Sequence, residues 1–278
     1  MRRRDFVAVL GGAAVSWPLS ARAQQTDRRS VVASINGRAS DPRLAAEFRK
    51  GLSQTGRRDG DNVVVEYHWL DGHYERAPAL IDDLIRRGVA VIATPGNSPA
   101  SLAAKSSTST IPIVFGVGED PVALGLVASL AKPGGNATGI NFFASEIDAK
   151  RLGLMHEMLP KAKRFAILLN PANTVTAEGT SKALSAAADV LGLDLLFFKA
   201  STAAEIETAF ASIARERADA LFIAPDAYFV SRGVQFATHA ARPVTCGRLR
   251  TRDRRSWRSD ELRNEHCRCI SAGRCVRW

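Results

Sequence analysis

The chain has 278 residues, 46% of them hydrophobic, enough for two modest domains with cores of their own. Its formal net charge of +10 at first suggests nucleic acid or an acidic surface, but the placement of that charge argues against both. Residues 1–23 carry four Arg and one Asp, and residues 242–278 carry eleven Arg against two Asp and two Glu, so the body between them is formally neutral and offers no basic footprint for nucleic acid.

The first 23 residues read as a signal peptide. Arg2-Arg-Arg4 is a basic region, Phe6 to Leu19 is a short apolar region, and Ala21-Arg-Ala23 is a small-x-small cleavage site before Gln24. The apolar run is too short for a membrane span and is broken by Gly11-Gly12 and Pro18. Arg3-Arg4-Asp-Phe-Val resembles a twin-arginine export signal; an ordinary secretory signal is the alternative. No lipobox cysteine precedes the cleavage point, so the expected product is a soluble periplasmic protein.

From there strands and helices alternate. Val31 to Ile35 predicts a buried strand, followed by a helix with Asp41 as N-cap, Pro42 at its first position and Leu44, Phe48 and Leu52 at helical spacing, closed by Gly56. Val63 to Trp69 is a strand. Tyr74 to Arg87 is a helix with Leu80, Leu84 and Ile85 inward. A strand at Val89 to Ala93, the loop Thr94-Pro-Gly-Asn-Ser-Pro99 and a helix from Ala100 come next. Ile111 to Phe115 is a strand, Gly116 to Asp120 a tight polar loop, and Pro121 opens a further helix. Lys132-Pro-Gly-Gly-Asn-Ala-Thr-Gly139 is a breaker cluster and marks the crossing between two lobes. Beyond it come strands at Gly139 to Phe143, Phe165 to Leu169, Leu193 to Phe198 and Ala220 to Ala224. The helices there are Ile147 to Met158, Ala177 to Leu191, Ala203 to Glu216 and one from Tyr228 to Ala241.

Short connections between alternating strands and helices imply parallel sheets with right-handed crossovers, and continuous apolar strands imply helices on both faces. The expected fold is α/β: two doubly wound parallel-sheet lobes with a hinge, residues 24–137 and 138–241, the second lobe and its closing crossing incomplete.

Several motifs carry a family resemblance. Ser109-Thr-Ile-Pro-Ile-Val-Phe115, Asp120-Pro-Val-Ala-Leu-Gly-Leu-Val-Ala-Ser-Leu130, Pro133-Gly-Gly-Asn-Ala-Thr-Gly139, Asn170-Pro-Ala-Asn173 and Arg215-Glu-Arg-Ala-Asp-Ala-Leu221 stand in one order. From about Val31 to about His239 the chain resembles the ABC-transporter substrate-binding protein family that contains tryptophan- and tyrosine-binding members. That resemblance implies a periplasmic-binding-protein fold with three inter-lobe crossings, a small amphipathic ligand such as an aromatic amino acid, a permease partner in the inner membrane, and no catalysis.

Ligands of open parallel sheets sit beyond the carboxyl ends of the strands. The loops expected there are Asn36 to Ser40, Thr94 to Ser98, Gly116 to Asp120, Phe142 to Ser145, Asn170 to Thr174 and Pro225 to Tyr228. Asn97 and Ser98, beside Gly96, are candidates for a ligand carboxylate at a helix N-terminus, and N-capping is the competing role. Glu119 and Asp120 are candidates for a ligand amine, though Asp120 is equally placed as a cap before Pro121. Asp226 is a candidate for facing the cleft, and Asn36 and Asn170 supply neutral hydrogen bonds. Phe142, Phe143 and Tyr228 are candidates for stacking, with one of Phe142 and Phe143 expected inward because strand neighbours face opposite ways.

Catalysis finds no motif: there is no G-x-S-x-G, P-loop or H-E-x-x-H, and Gly116-Val-Gly118 is followed by Glu119 and Asp120, which repel a pyrophosphate. No cofactor is expected. His266-Cys267-Arg-Cys269 with Cys275 fits no zinc spacing. A sensor lobe feeding a membrane receptor is the alternative to transport, and an exported α/β enzyme a more distant one.

After about Ala241 apolar periodicity stops, Lys vanishes, and Arg and Cys rise. The family continues there with a strand and a Glu-Ala-Gly-Gly-Leu-Met-Ser-Tyr-Gly-Thr-Ser type of segment. Asp260-Glu-Leu-Arg-Asn-Glu265 can be encoded so that reading one base later gives Met-Ser-Tyr-Gly-Thr, and Arg255 to Ser259 permits Glu-Ala-Gly-Gly-Leu. The expectation is a frameshift between about Ala241 and Leu249, a disordered tail over 242–278, and a destabilised product with uncovered apolar faces.

Overall fold

A computed structural model describes residues 29–144, 147–241, 268–271 and 274–275. The expected leader at 1–23, Ser145 of the expected cleft loops, and most of the 242–278 segment with His266 and Cys267 lie outside the described residues.

Strands β1 (Ser30–Asn36), β2 (Val63–Trp69), β3 (Val91–Pro95), β4 (Ile113–Val117) and β5 (Ala137–Asn141) form one parallel sheet in the order β2-β1-β3-β4-β5. Helices α1 (Pro42–Gln54), α2 (Ala77–Arg87) and α3 (Ser98–Ser107) belong to this lobe. The apolar strands alternate sides, one face buried along the sheet and the other covered over β1 and β2. Ala33, Ile35, Ile92 and Ile113 pack with Ile81 and Leu84 of α2 and Ala100 and Ala104 of α3. Val32, Val63 and Val65 pack on the opposite side with Phe48 and Leu52 of α1.

The second lobe repeats the plan. Strands β6 (Arg164–Leu169), β7 (Asp194–Lys199) and β8 (Ala220–Ile223) are parallel, with β6 in the middle. Helices α4 (Asp148–Met158) and α5 (Thr174–Leu191) cover Phe165, Ile167 and Phe222. Helices α6 (Ala203–Arg215), α7 (Ala227–Ser231) and α8 (Gly233–Ala241) lie on the face of Ala166, Leu168, Leu221 and Ile223. Two further strands, β9 (Arg268–Ser271) and β10 (Arg274–Cys275), extend this sheet beyond β8, β9 parallel and β10 antiparallel to its neighbour. The tail expected to be disordered therefore includes two strands.

Several local expectations are corrected. No helix follows Pro121: residues 121–125 are turns and 126–131 irregular backbone. Gly125 takes φ 72, which ends the first turn, and Leu126, fully buried, drops into the first-lobe core. The chain does not cross between lobes at 132–139. Asn136 donates to the carbonyls of Thr108 (2.9 Å) and Ile111 (2.8 Å), pinning the breaker cluster to the first lobe. β5 then pairs with β4, so the expected boundary at 137/138 moves beyond Asn141. Tyr74–Arg76 is a 3-10 turn ahead of α2, whose innermost residues are Ala77, Ile81 and Leu84 rather than Leu80 and Ile85. The last expected helix is two, broken at Arg232.

Gly139 is needed where it stands. It pairs with Phe115 across β4 and β5, and a Cβ there would lie 2.1 Å from the Phe115 carbonyl oxygen. Gly139→Ala should cost about 1–3 kcal/mol, as overpacking against backbone does. Urea denaturation reads this, and a loss under about 0.5 kcal/mol would contradict the close approach.

Candidate functional site

In the first sheet the chain runs one way from β1 to β2 and the other way from β3 onward, so the carboxyl ends of β1 and β3 flank a crevice. In the second sheet β6 has β7 on one side and β8 on the other, which places the equivalent crevice at the ends of β6 and β8. The two crevices face one cavity of about 260 Å³, walled from the first lobe by Asn36, Gly96, Ser98, Glu119 and Phe142 and from the second by Asn173, Thr176 and Asp226. Its size stands near the lower end of small-molecule sites, roughly 300–1,000 Å³. A groove of about 200 Å³ elsewhere is lined by β7 and α6 residues alone and does not lie between the lobes.

Six of the nine residues singled out from sequence line the cavity: Asn36, Gly96, Ser98, Glu119, Phe142 and Asp226. Asn36 is buried and bridges two loops, donating to the Pro95 carbonyl (2.9 Å) and accepting from the Arg38 amide (2.9 Å). Gly96, at φ 67, donates its amide to the Gly116 carbonyl at 2.8 Å. Phe142 is half exposed, its ring over Gly116. Phe143 is also half exposed, so neither phenylalanine is buried. The alternation argument does not reach them because β5 ends at Asn141, and Phe143 sits at φ 53 with its amide donating to Asn141 Oδ1.

The other three do not line it. Asn97 is fully buried as the N-cap of α3, its Oδ1 accepting from the Ala100 amide at 3.1 Å. Asp120 is exposed and accepts from the Val122 amide at 2.8 Å, a turn-forming role. Asn170 is buried behind the wall, where it donates to Asp226 Oδ1 at 3.0 Å. Tyr228 is buried against Gly72 with the Arg232 guanidinium 4.7 Å from its ring, so it packs between the lobes rather than offering a stacking face.

Two carboxylates dominate the wall. Glu119 accepts from Ser98 Oγ of its own lobe at 2.5 Å and from Thr176 Oγ1 across the cleft. Asp226 accepts four bonds: Tyr74 Oη from the first lobe (2.8 Å), Asn170 Nδ2 (3.0 Å), Asn173 Nδ2 (3.0 Å) and the Phe229 amide (3.2 Å). Both are buried, and neither appears in an ion pair among the described residues. Burial, and then the adjacent Asp226 charge, push the Tyr74 phenol far up, so Tyr74 remains a donor. A further link, Arg232 to Asp71 at 2.8 Å, joins the lobes beside Tyr228.

Behind Thr176, one turn along α5, Thr180 donates to Asp148 Oδ2 at 2.7 Å, and Arg151 reaches Asp148 Oδ1 at 3.1 Å. Asp148 is fully buried. Desolvation raises its pKa, opposed by the Thr180 hydrogen bond and the Arg151 charge. A carboxyl raised in the folded state contributes stability that is present below its unfolded pKa and is lost as pH rises through the folded one. Asp148→Asn should therefore gain stability relative to the parent chain as pH rises through and above the ordinary carboxylate range near about 4. Urea midpoints across that range check this, and a constant difference between the two proteins would contradict it.

Sequence reading misses Tyr74, Asn173, Thr176 and Asp148. Asn173 has a signal, standing in the Asn170-Pro-Ala-Asn173 loop at the end of a buried strand. The others are helix or turn residues whose partners lie 32 to 152 residues away. No described helix is long and apolar enough to cross a membrane, and no group of three or more metal-capable side chains occurs among the described residues.

Comparison with known proteins points one way. The model of a family described as ABC transporter substrate binding protein matches residues 30–247. A tyrosine-binding protein of Clostridioides difficile (strain R20291) is 30% identical over 188 residues, 66% of this chain and 52% of its own length. The chain thus spans about half of that relative. A conserved domain protein of Vibrio cholerae superposes with a TM-score of 0.60 at 28% identity, covering 70% of this chain and 64% of that one. An ABC domain from Streptococcus pneumonia, solved with L-Trp, superposes with a TM-score of 0.60 at 21% identity over 76% of this chain and 70% of that one, which speaks for the fold alone.

Proposed function

This chain belongs to the ABC transporter substrate-binding protein family, and we propose that it is the exported, periplasmic binding component of an importer, taking an aromatic amino-acid-like ligand between its two lobes. It is a binding protein, not an enzyme. The observation that carries the ligand class is the pair of buried carboxylates, Glu119 and Asp226, on opposite walls of one cavity with no cation paired to either among the described residues. Buried charge calls for a counter-charge, and a ligand ammonium supplies it. The half-exposed Phe142 ring is placed for an aromatic side chain. The tyrosine-binding relative favours the same class.

Lobe closure on the ligand would present a surface to an inner-membrane permease. The leader over 1–23 carries the export step, by a twin-arginine-like or general secretory route. The frameshift is retained in this reading: the family match stops at residue 247, inside the window of about 241 to 249 where the frame is expected to change.

Calorimetric titration with L-tyrosine and L-tryptophan tests the reading. Saturable binding is expected, weakened at least about tenfold by Glu119→Gln, as when a charge-assisted bond is lost. No heat with either amino acid, on a folded sample, would overturn the ligand class.

A further inference from the structure

The side chain of Asn173 has an orientation that its neighbours force. It occupies the N-cap position of α5, yet makes no capping hydrogen bond to that helix. Its Nδ2 instead donates to Asp226 Oδ2 at 3.0 Å. Asp226 already receives Tyr74, Asn170 and the Phe229 amide, all donors, so its carboxylate acts only as an acceptor. Turning the Asn173 amide over would set two acceptor oxygens against each other at hydrogen-bond distance. The amide is therefore locked with its nitrogen toward Asp226, and its Oδ1 must look elsewhere.

That oxygen is buried and has no hydrogen-bond partner among the described residues, although Asn173, 5% exposed, lines the cavity. An acceptor held in place and left unpaired on a cavity-lining residue is a donor-reading group. The glutamate and aspartate beside it outweigh the one cation on the cavity wall, Arg38, which lies 4.0 Å from Asp41, so the donor it fits is an N–H carried on a cation.

We infer that Asn173 is a specificity-determining residue, whose Oδ1 accepts an N–H from the ligand's ammonium and so selects amine-bearing ligands over their deaminated analogues. This rests on the cleft being the ligand site, as proposed above. The roles divide by chemistry. Glu119 and Asp226 supply charge, each with its near oxygens already bonded to protein donors. Asn173 supplies the directed acceptor that charge alone does not provide. Asp226, in turn, is a positioning residue for Asn173.

The test measures affinities of the full chain for two matched pairs: L-tyrosine with 3-(4-hydroxyphenyl)propionate, and L-tryptophan with indole-3-propionate. The parent chain should prefer the amino acid by about 100-fold or more, as a site built around a polar contact rejects ligands lacking it. Asn173→Leu should weaken the amino acid about 10- to 100-fold and leave the deaminated partner within about threefold. Asn173→Ser keeps a good N-cap residue, and so a folded α5, while withdrawing the amide oxygen; it should give the same loss of preference if the leucine variant fails to fold. A structural role would lower both affinities together. Equal losses for the two members of a pair, or an unchanged preference in Asn173→Ser, overturn the inference while leaving the ligand class standing. No binding of any of the four compounds by the folded parent chain overturns the ligand class, and the inference with it.

Discussion

Asp226→Ala should lower the unfolding free energy by about 3–5 kcal/mol, the cost of removing one partner from a buried, fully bonded charge. Four donors converge on this carboxylate, and alanine would strand them in a region that water barely reaches: Asp226 is 7% exposed and Tyr74 3%. Each stranded donor costs about 1–3 kcal/mol, and partial relaxation keeps the total below their sum. The effect should divide by lobe. Three of the four donors belong to the second lobe, where they hold the ends of β6 and β8 and the start of α7. The fourth, Tyr74, comes from the first. Tyr74→Phe removes only the inter-lobe bond and should cost about 1–2 kcal/mol, with most of the second-lobe core intact. Urea denaturation of the two variants separates these terms. An Asp226→Ala loss below about 1 kcal/mol, or one no larger than that of Tyr74→Phe, would show that the carboxylate is not the junction the geometry makes it.

The same junction explains what sequence can and cannot reveal. The lobes are legible because strands such as β3, β4, β6 and β8 are apolar runs of strand length between polar loops, the pattern of strands in the middle of a parallel sheet. The loops at the strand ends are legible by topology, which is why Asn36, Gly96, Ser98, Glu119 and Asp226 stand out in the sequence alone. What pattern does not supply is the division of labour within a loop. Asn97 and Ser98 are adjacent, yet one caps α3 and the other bonds Glu119. Glu119 and Asp120 are adjacent, yet one turns into the cleft and the other outward into a turn. Such choices depend on backbone angles at single residues. Tyr74 is invisible for a different reason: its partner stands 152 residues away in the other lobe. Residues 121–131 pass for a helix because Pro121 and the apolar run after it satisfy a helix template, while Gly125 at φ 72 and the burial of Leu126 override it.

If the frame changes near residue 241, as proposed above, restoring it should turn a chain expected to melt with poor cooperativity and to bind dye into one that melts in a single sharp transition. The argument starts from the first sheet. β5 is its edge strand, and the register sets Val114 opposite Thr138 and Gly116 opposite Ile140, so Val114 and Ile140 share one face. That face is open: Val114 is 44% exposed and Ile140 62%. Phe143 beyond β5, and Leu154 and Met158 on α4, are also exposed. The shifted frame permits Ser-Ile-Ala-Asp-Ala-Phe-Arg-Gln-Val-Gly over His266 to Arg274, with Ile, Phe and Val at i, i+4 and i+7, one apolar stripe of a helix. Full burial of a large apolar side chain is worth about 1.5–3 kcal/mol. Covering Val114, Ile140 and Phe143, already partly buried, would add about 3 kcal/mol, a substantial share of the roughly 5–15 kcal/mol that holds a domain folded. The nucleotide sequence decides first. An open alternative frame encoding that stripe supports the proposal, and a frame-corrected protein should then lose most of its dye binding and gain a calorimetric peak. No open frame would end it. So would a present chain that already melts cooperatively as a monomer without binding dye, and the Arg- and Cys-rich segment beside β8 would then have to be understood as a native part of the second sheet.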